Sequence, residues 1–462
     1  MMEDFVAVSS DSQGLESSRG TIGQSSPSRV CRWRMEGGVP LHGSVRVSGA
    51  KNAVNKILVA SMLTDQPCQL ENVPRIDEIG VILRMMASLG TNHEWIGDHS
   101  LVVQTPQLKS SSISREFAGI NRIPVLMIAP LLHRSGKATV PMVGGCRIGE
   151  RPVNFHIDGL HSMGASLEVD DGMFVASGPS LKGTAIHLPY PSVGAAENLI
   201  FAASLARGTT VIRNAAVEPE IIDIILFLQK MGALITVEVD RTIIIEGVPR
   251  LSGASHRVIP DRMEAASYAI AAVATNGRVF VEDARQEHMI AFLNNLRRLG
   301  GEFIPTDRGI TFFQSDGGLR CSHVETDVYP GFMTDWQQPF VTLMTQARGV
   351  SILHETVYED RFGYTKALRD MGADIQLSTQ CLGSKPCRYQ NRDFIHSCIV
   401  TGATKLRGKS LAIPDLRAGV AFVVAGLAAD GVSDITEIDY LERGYAAMGD
   451  KLLSLGAHIE MS

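Results

Sequence analysis

A cysteine set among glycines is the first feature with chemical promise. In PMVGGCRIGERPVNFHIDGL, residues 141–160, Gly144, Gly145 and Gly149 surround Cys146. Glycine frees the backbone for a loop that moves, and a lid closing over substrates is one use of such a loop. Arg147 and Arg151 near the sulfur favour thiolate over thiol, the form that reacts. Asp335, in PGFMTDWQQPF, is the carboxylate expected to act as a base. It falls at an expected helix start among cationic neighbours, which keep a carboxylate ionised, and N-capping is compatible with that role. Lys51, Arg122, Arg151, Arg361, Arg417 and Arg443 form a set of cations at matching places in the chain. Cations beside helix N-termini, with their free N–H groups, call for a strongly anionic ligand carrying phosphate or carboxylate.

The matching places come from an internal repeat. Six segments close on Leu-Gly or Met-Gly, with the glycine at 90, 164, 232, 300, 372 and 456, a period near 70 residues. Within each unit a short β-like stretch leads into a small-residue segment such as SVGAAENLIFAASLARG or RMEAASYAIAAVATNG. A strand, a second helix ending at the glycine and a final strand follow, with room for one more. Six such units predict two halves of three, because one small sheet with helices on one side must bury the remaining helix faces against neighbours. The polar exceptions lie mostly where a strand meets a first helix: Lys51-Asn52, Asn121-Arg122, Ser192-Val193-Gly194, Asp261-Arg262, Thr334-Asp335 and Asp415-Leu416-Arg417. Arg361 and Arg443 share a second position, after the middle strand, and the set is expected to converge between the halves.

Composition excludes several classes. The 462 residues suggest about three domains or two large ones. A chain 45% hydrophobic and 20% charged is ordinary for a globular protein, so wholesale disorder, collagen and coiled coil are excluded. Net charge is −6 and no stretch is dense in Lys and Arg, which argues against nucleic acid. The longest apolar run, Ala418 to Ala429, is too short to span a bilayer, so a soluble protein is expected. Seven cysteines include no CxxC pair, so neither a disulfide scaffold nor a zinc site is expected, and a reducing cytoplasm fits. Residues 1–35 read as a disordered Ser-rich extension without the features of a targeting peptide, the folded part starting near Met35.

Seven segments, LHGSVRVSGAKN, GGCRIGERPV, PSVGAAEN, PDRMEA, PGFMTDWQ, DLRAG and ERGY, resemble the signatures of the UDP-N-acetylglucosamine 1-carboxyvinyltransferase family of enolpyruvyl transferases, at similar spacing from residue 36 to 462. The resemblance implies an α/β fold, a two-domain inside-out α/β barrel of six βαβαββ repeats. One domain would be 52–260 and the other 36–51 plus 261–462, with the active site in the cleft between them. It implies transfer of the enolpyruvyl group of phosphoenolpyruvate to the 3′-hydroxyl of UDP-N-acetylglucosamine with release of phosphate, the first committed step of peptidoglycan precursor synthesis. A monomeric cytoplasmic enzyme without cofactor or metal is implied, with no nucleic-acid or membrane partner. Cys146 matches the family's proton donor, open to alkylation by the epoxide fosfomycin, and Asp335 the base. Lys51, Asn52, Arg151, Arg417 and Arg443 match the residues that hold phosphoenolpyruvate, Lys51 and Arg443 also counting as catalytic. Arg122, Arg151, Pro152, Val153, Asn154, Phe155, Tyr190, Pro191, Ser192, Val193, Asp335 and Val357 match the sugar-nucleotide site, with Arg361 and Arg262 as supporting charges.

This chain departs from the family pattern at Asn154, where many relatives have Asp, at Tyr190-Pro191, where some have Lys-Val, and at Glu150, where Ala is common. Two other functions remain open at this point. One is the sister 3-phosphoshikimate 1-carboxyvinyltransferase activity or action on another sugar nucleotide, which the cysteine loop disfavours in its shikimate form. The other is a noncatalytic UDP-sugar sensor, which need not keep Lys51, Cys146, Asp335 and Arg443.

Overall fold

A computed structural model describes residues 32–142, 153–178, 180–384 and 387–462. The expected tail therefore falls outside the described residues up to 31, as does the cysteine loop from 143 to 152. The break expected at residue 35 lies inside a strand, Arg32–Glu36, whose Trp33 and Met35 are buried while Arg32, Arg34 and Glu36 face out. That alternation is the strand period, short enough to be overlooked after the Ser-rich run before it.

Six small sheets carry the fold, and the third unit shows the plan in one piece. Ala185–His187 leads into the helix Val193–Ser204, then Thr209–Arg213, the helix Pro219–Lys230, Leu234–Val237 and Ile243–Glu246. Its sheet runs first, second, fourth, third strand, the first pair parallel and the rest antiparallel. The fifth unit repeats this with His323–Glu325, Gly349–His354, Ser397–Gly402 and Asp374–Ser378 in that spatial order. These two units are thus βαβαββ.

Elsewhere strands are traded along the chain. His42–Arg46 lies parallel to Arg278–Glu282 and leads the fourth unit's sheet, while Ser255–Arg257 lies parallel to Cys68–Glu71 and leads the first unit's. Arg32–Glu36 supplies the sixth unit's last strand, between Val432–Thr436 and His458–Met461. Among the described residues the second unit has three strands, with a single parallel bridge from Ser112 to Thr139 where its leading strand would lie.

First and second helices bury different fractions of their surface. The first helices, such as Arg262–Ala274 and Leu416–Ala428, are buried nearly all round and rich in Ala and Gly, so they approach one another closely in the middle of each half. Second helices are amphipathic, as Ile290–Leu299 shows by burying Phe292, Leu293, Leu296 and Leu299. The six closing glycines all adopt left-handed φ, from +91° to +108°, where a side chain is strained. Among the described residues no helix is long and apolar enough to cross a membrane.

Apolar packing forms two cores, one drawn from Ala50 to Val258 and the other from Trp33 to Val47 together with Met263 to Ala457. The chain passes between them at 47–50 and again at 258–261. These two passages pair with each other through an antiparallel bridge, Gly49 to Pro260, in which Ala50 N–H donates to Ile259 O at 2.7 Å and Asp261 N–H to Ser48 O at 2.8 Å.

Candidate active site

The polar exceptions of the repeat all fall at the start of a unit's first helix. Lys51 and Asn52 open Lys51–Ser61, Arg122 precedes Ile123–Ser135, Ser192 precedes Val193–Ser204, and Asp261 precedes Arg262–Ala274. Thr334 and Asp335 form a single turn before Gln337–Met344, and Asp415 precedes Leu416–Ala428. Asp261 and Asp415 cap their helices by accepting backbone N–H bonds, as Ser192 does through Oγ from Ala195 N–H at 3.4 Å. In the third, fifth and sixth units the first strand ends shortly before these helices begin, so the same end of each presents polar residues.

Asp335 holds the most concentrated charge pairing. Arg361 donates to its Oδ1 at 2.8 Å and Arg417 to its Oδ2 at 3.0 Å. Burial, the largest influence, would lower the pKa of either guanidinium, but Asp335 together with Glu355 and Tyr358 beside Arg361, and with Tyr445 and Asp261 beside Arg417, outweighs it, and both are raised. Arg361 also donates to Thr334 Oγ1 at 2.5 Å, and Glu355 accepts from that same hydroxyl at 2.8 Å. Arg417 reaches the Tyr445 hydroxyl at 3.1 Å. Asp335 is therefore clamped from two sides by residues of the fifth and sixth units.

A second constellation spans the two cores. Glu78, buried near the start of Asp77–Ser88, takes Arg443 at 3.3 Å and lies 4.0 Å from Lys51 Nζ. Arg443 also donates to Ile120 O at 3.0 Å, yet its side chain keeps 34% of its surface exposed, against 12% for Arg417 and 1% for Arg361. Of these three guanidiniums it is the most accessible to an incoming anion. Lys51 is tied to the other constellation through its N–H, which donates to Asp261 Oδ2 at 3.1 Å. Burial raises the Asp261 pKa, and Arg417 is the foremost charge opposing that rise.

Two further groupings gather the expected sugar-nucleotide residues. His156, one place after Asn154 and Phe155 in the helix Asn154–Ser162, packs on Gly194 and meets Asn198 Nδ2 at 3.2 Å. Burial, then the Arg122 charge, lowers its pKa to about 3, so the imidazole is neutral, with Asn154-Phe155 just before it in the chain and Ser192-Val193 just before the Gly194 on which it packs. Tyr190 lies under the Arg388 guanidinium, 4.9 Å away, and Tyr389, the next residue, donates its hydroxyl to Val357 O at 2.8 Å. Tyr190 and Val357, from different halves, are joined in this way. Val153 precedes the helix Asn154–Ser162, and Pro191 precedes Ser192. Cys146, Arg151 and Pro152 lie outside the described residues.

Arg262 takes a buried structural position. It forms a two-point pair with Glu220 across the halves, at 2.9 and 2.8 Å. Burial would raise the Glu220 pKa, but the guanidinium lowers it, while burial pushes Glu197 and Glu218 nearby up to about 7. Lys56 is 3.6 Å from Glu197. The sequence reading passed over Glu78, Glu355 and Tyr445. Tyr445 stands two places from Arg443 in ERGY, a usable signal, whereas Glu78 resembles any acidic residue opening a helix.

The profile of the EPSP synthase (3-phosphoshikimate 1-carboxyvinyltransferase) family matches residues 35–452. The enolpyruvyl transferase NikO from Streptomyces tendae superposes with a TM-score of 0.82 at 21% identity, covering 93% of this chain and 98% of that one. EPSP synthase from Acinetobacter baumannii superposes at 0.69 with 17% identity, over 94% and 100%. Six small sheets built on this plan and packed in two cores are thus the enolpyruvyl transferase fold. A UDP-N-acetylglucosamine 1-carboxyvinyltransferase of Protochlamydia amoebophila is 51% identical over 436 residues, 93% of this chain and 94% of the relative. Proteins of that name from Chlamydia pneumoniae and Sinorhizobium medicae are 49% and 39% identical, over 91% and 93% of this chain and 93% and 99% of their own. The chain belongs to the enolpyruvyl transferases, in the branch of the UDP-N-acetylglucosamine 1-carboxyvinyltransferases.

Proposed function

We propose that this chain transfers the enolpyruvyl group of phosphoenolpyruvate to the 3′-hydroxyl of UDP-N-acetylglucosamine and releases phosphate, the first committed step of peptidoglycan precursor synthesis, as a cytoplasmic enzyme. The observation that carries the reading is Asp335 clamped by Arg361 and Arg417 at a helix start, in a chain about half identical to transferases of that name. The halves act as domains, 52–260 against 36–51 with 261–462, and the substrates meet between them.

Phosphoenolpyruvate carries about three negative charges near neutral pH, and Lys51, Asn52, Arg151, Arg417 and Arg443 offset them. The sugar nucleotide lies along Arg122, Arg151 to Phe155, Tyr190 to Val193 and Val357. The sugar oxygen attacks C2 of phosphoenolpyruvate while the Cys146 thiol delivers a proton to C3, giving a tetrahedral ketal. Loss of phosphate and of a methyl proton then restores the double bond in the product.

The clamp on Asp335 gives this sequence an order. Each carboxylate oxygen carries one guanidinium and keeps a further lone pair, but the two positive charges weaken its pull on a proton until one of them is drawn off. Arg417 is the one that phosphoenolpyruvate draws away, and its departure frees Oδ2 to accept the hydroxyl proton. Substrate binding and readiness of the base are then one event. Purified chain supplied with phosphoenolpyruvate and UDP-N-acetylglucosamine at millimolar concentrations should release phosphate stoichiometrically with enolpyruvyl product. No release with this acceptor, or equal release with 3-phosphoshikimate, refutes the reading.

A further inference from the structure

The fifth unit carries an insertion that the others lack. Between the last two strands of a unit the chain spends two residues (171–172, 307–308) or five (96–100, 238–242), but in the fifth unit it spends residues 379–396. Its described residues form no helix or strand, and a run of this length needs something to hold it. Over the end of the sheet it brings together His354, Cys381, Cys387 and His396, whose ligand atoms all lie within 4.8 Å of one another. His354 ends one strand, and His396 immediately precedes Ser397, which pairs with His354 in register. The two cysteines come from the insertion itself.

We propose that these four residues bind one zinc ion as a closed structural site. The hydrogen bonds around them fix the chemistry of the two imidazoles. Ser397 Oγ donates to Gln380 O at 2.6 Å, so toward His354 Nδ1, at 2.8 Å, it accepts, and Nδ1 carries the proton. His396 Nδ1 stands 2.7 Å from Phe394 O, a carbonyl that only accepts, so it too is protonated. Both Nε2 atoms are left with a bare lone pair, the form that ligates a metal, with the other ring nitrogen held by an outer partner. His354 Nε2 is fully buried and has no hydrogen-bond partner, a cost that a metal ion removes. His396 Nε2 is 3.3 Å from Cys381 Sγ. At Cys387, the backbone N–H of Tyr389 donates to sulfur at 3.4 Å, as suits a thiolate.

Zinc bonds of about 2.3 Å to sulfur and 2.0–2.1 Å to nitrogen set tetrahedral ligand atoms about 3.3–3.8 Å apart, so closing on an ion takes shifts of about 1 Å or less. Two sulfurs and two imidazole nitrogens in a tetrahedron suit zinc over the harder divalent ions. Binding displaces one proton from each thiol to solvent, and two thiolates with two neutral rings leave a site of zero net charge, which burial tolerates. With four protein ligands no position stays open for substrate, so the ion's work is to hold the insertion. Tyr389 and Arg388, directly after Cys387, are the residues that reach Val357 and Tyr190.

The test is metal content of the full chain, expressed with added zinc and purified in reductant without chelator. About one zinc per chain is expected, falling below about 0.2 in Cys381→Ser and His354→Gln and unchanged in Cys321→Ser, an exposed thiol outside the set. Because the ligand variants can misfold, thiol labelling of the unaltered chain is read alongside. Cys381 and Cys387 should resist alkylation until a chelator is added, while Cys321 labels throughout. Less than about 0.1 zinc per chain, another metal in stoichiometric amount, equal labelling of all three thiols, or a Cys381–Cys387 disulfide overturns the proposal. None of these readouts depends on transferase activity.

Discussion

Asp335 concentrates what residue types can and cannot announce. The base role proposed for it rests on a carboxylate at a helix start within a cation-rich pattern, but its clamp was not legible, because Arg361 and Arg417 lie 26 and 82 residues away in sequence. Under the proposed mechanism, Asp335→Asn removes the proton acceptor and points an amide N–H₂ at one of two guanidiniums. The expected result is a fall in kcat of about 10²–10⁴-fold, the range of general-base catalysis. Steady-state phosphate release measures it, and a loss smaller than about tenfold would sink the assignment. Lys51 and Arg443 were legible as cations at repeating places. Glu78, which joins them, was hidden because a buried acid and a solvated helix-opening acid look alike in sequence. The candidate zinc ligands were missed for a related reason. The spacing from Cys381 to Cys387 fits no usual zinc pattern, and the two histidines are neighbours only through strand pairing.

At the scale of elements, the period near 70 residues was readable because each unit ends its second helix in the same way. The six glycines are alike in backbone but not in surroundings, and that difference is testable. A Cβ at Gly232 would meet nothing within 4 Å, so Gly232→Ala costs only the left-handed backbone, about 1 kcal/mol. At Gly90 the added carbon would fall 2.5 Å from Gln107 O, so Gly90→Ala must also displace a backbone segment and should cost about 2 kcal/mol or more. Denaturant midpoints of the two variants check the ranking, and equal losses would contradict it. What the repeat concealed was trading of strands. A leading strand such as Ser255–Arg257 reads as part of the unit it follows, since only three-dimensional pairing shows that it completes the sheet of unit one.

For the whole molecule, buried ionisable groups set opposing responses to pH. Glu197 and Glu218, at about 7 when folded against an ordinary 4.5, leave the folded chain holding more protons than the unfolded one in that window. Their contribution to stability is therefore full below 4.5 and lost as pH rises toward 7. His156 works the other way. At about 3 when folded against 6.5, it makes the unfolded chain the better proton binder, and stability is lost as pH falls from 6.5 toward 3. Between 4.5 and 6.5 the slopes oppose, each proton contributing at most about 1.4 kcal/mol per pH unit. Glu218→Gln removes one of the opposing groups, so the thermal midpoint should drop more steeply on acidification from pH 6.5 to 4.5 than in the unaltered chain. Parallel profiles for the two proteins would refute this.

The strand Arg32–Glu36 gives the fold a schedule. It is inserted between Val432–Thr436 and His458–Met461, and Arg32 N–H donates to Ser462 O at 2.9 Å. During synthesis the segment that leaves the ribosome first among these partners must wait for the one that leaves last, while the core drawn from Ala50 to Val258 can close on its way out. At about 5–20 residues per second that wait is tens of seconds, through which Trp33 and Met35 have no sheet to enter. The sixth sheet is therefore a seal set only once His458–Met461 has been made, joining the first and last strands of the described residues in its final hydrogen bonds.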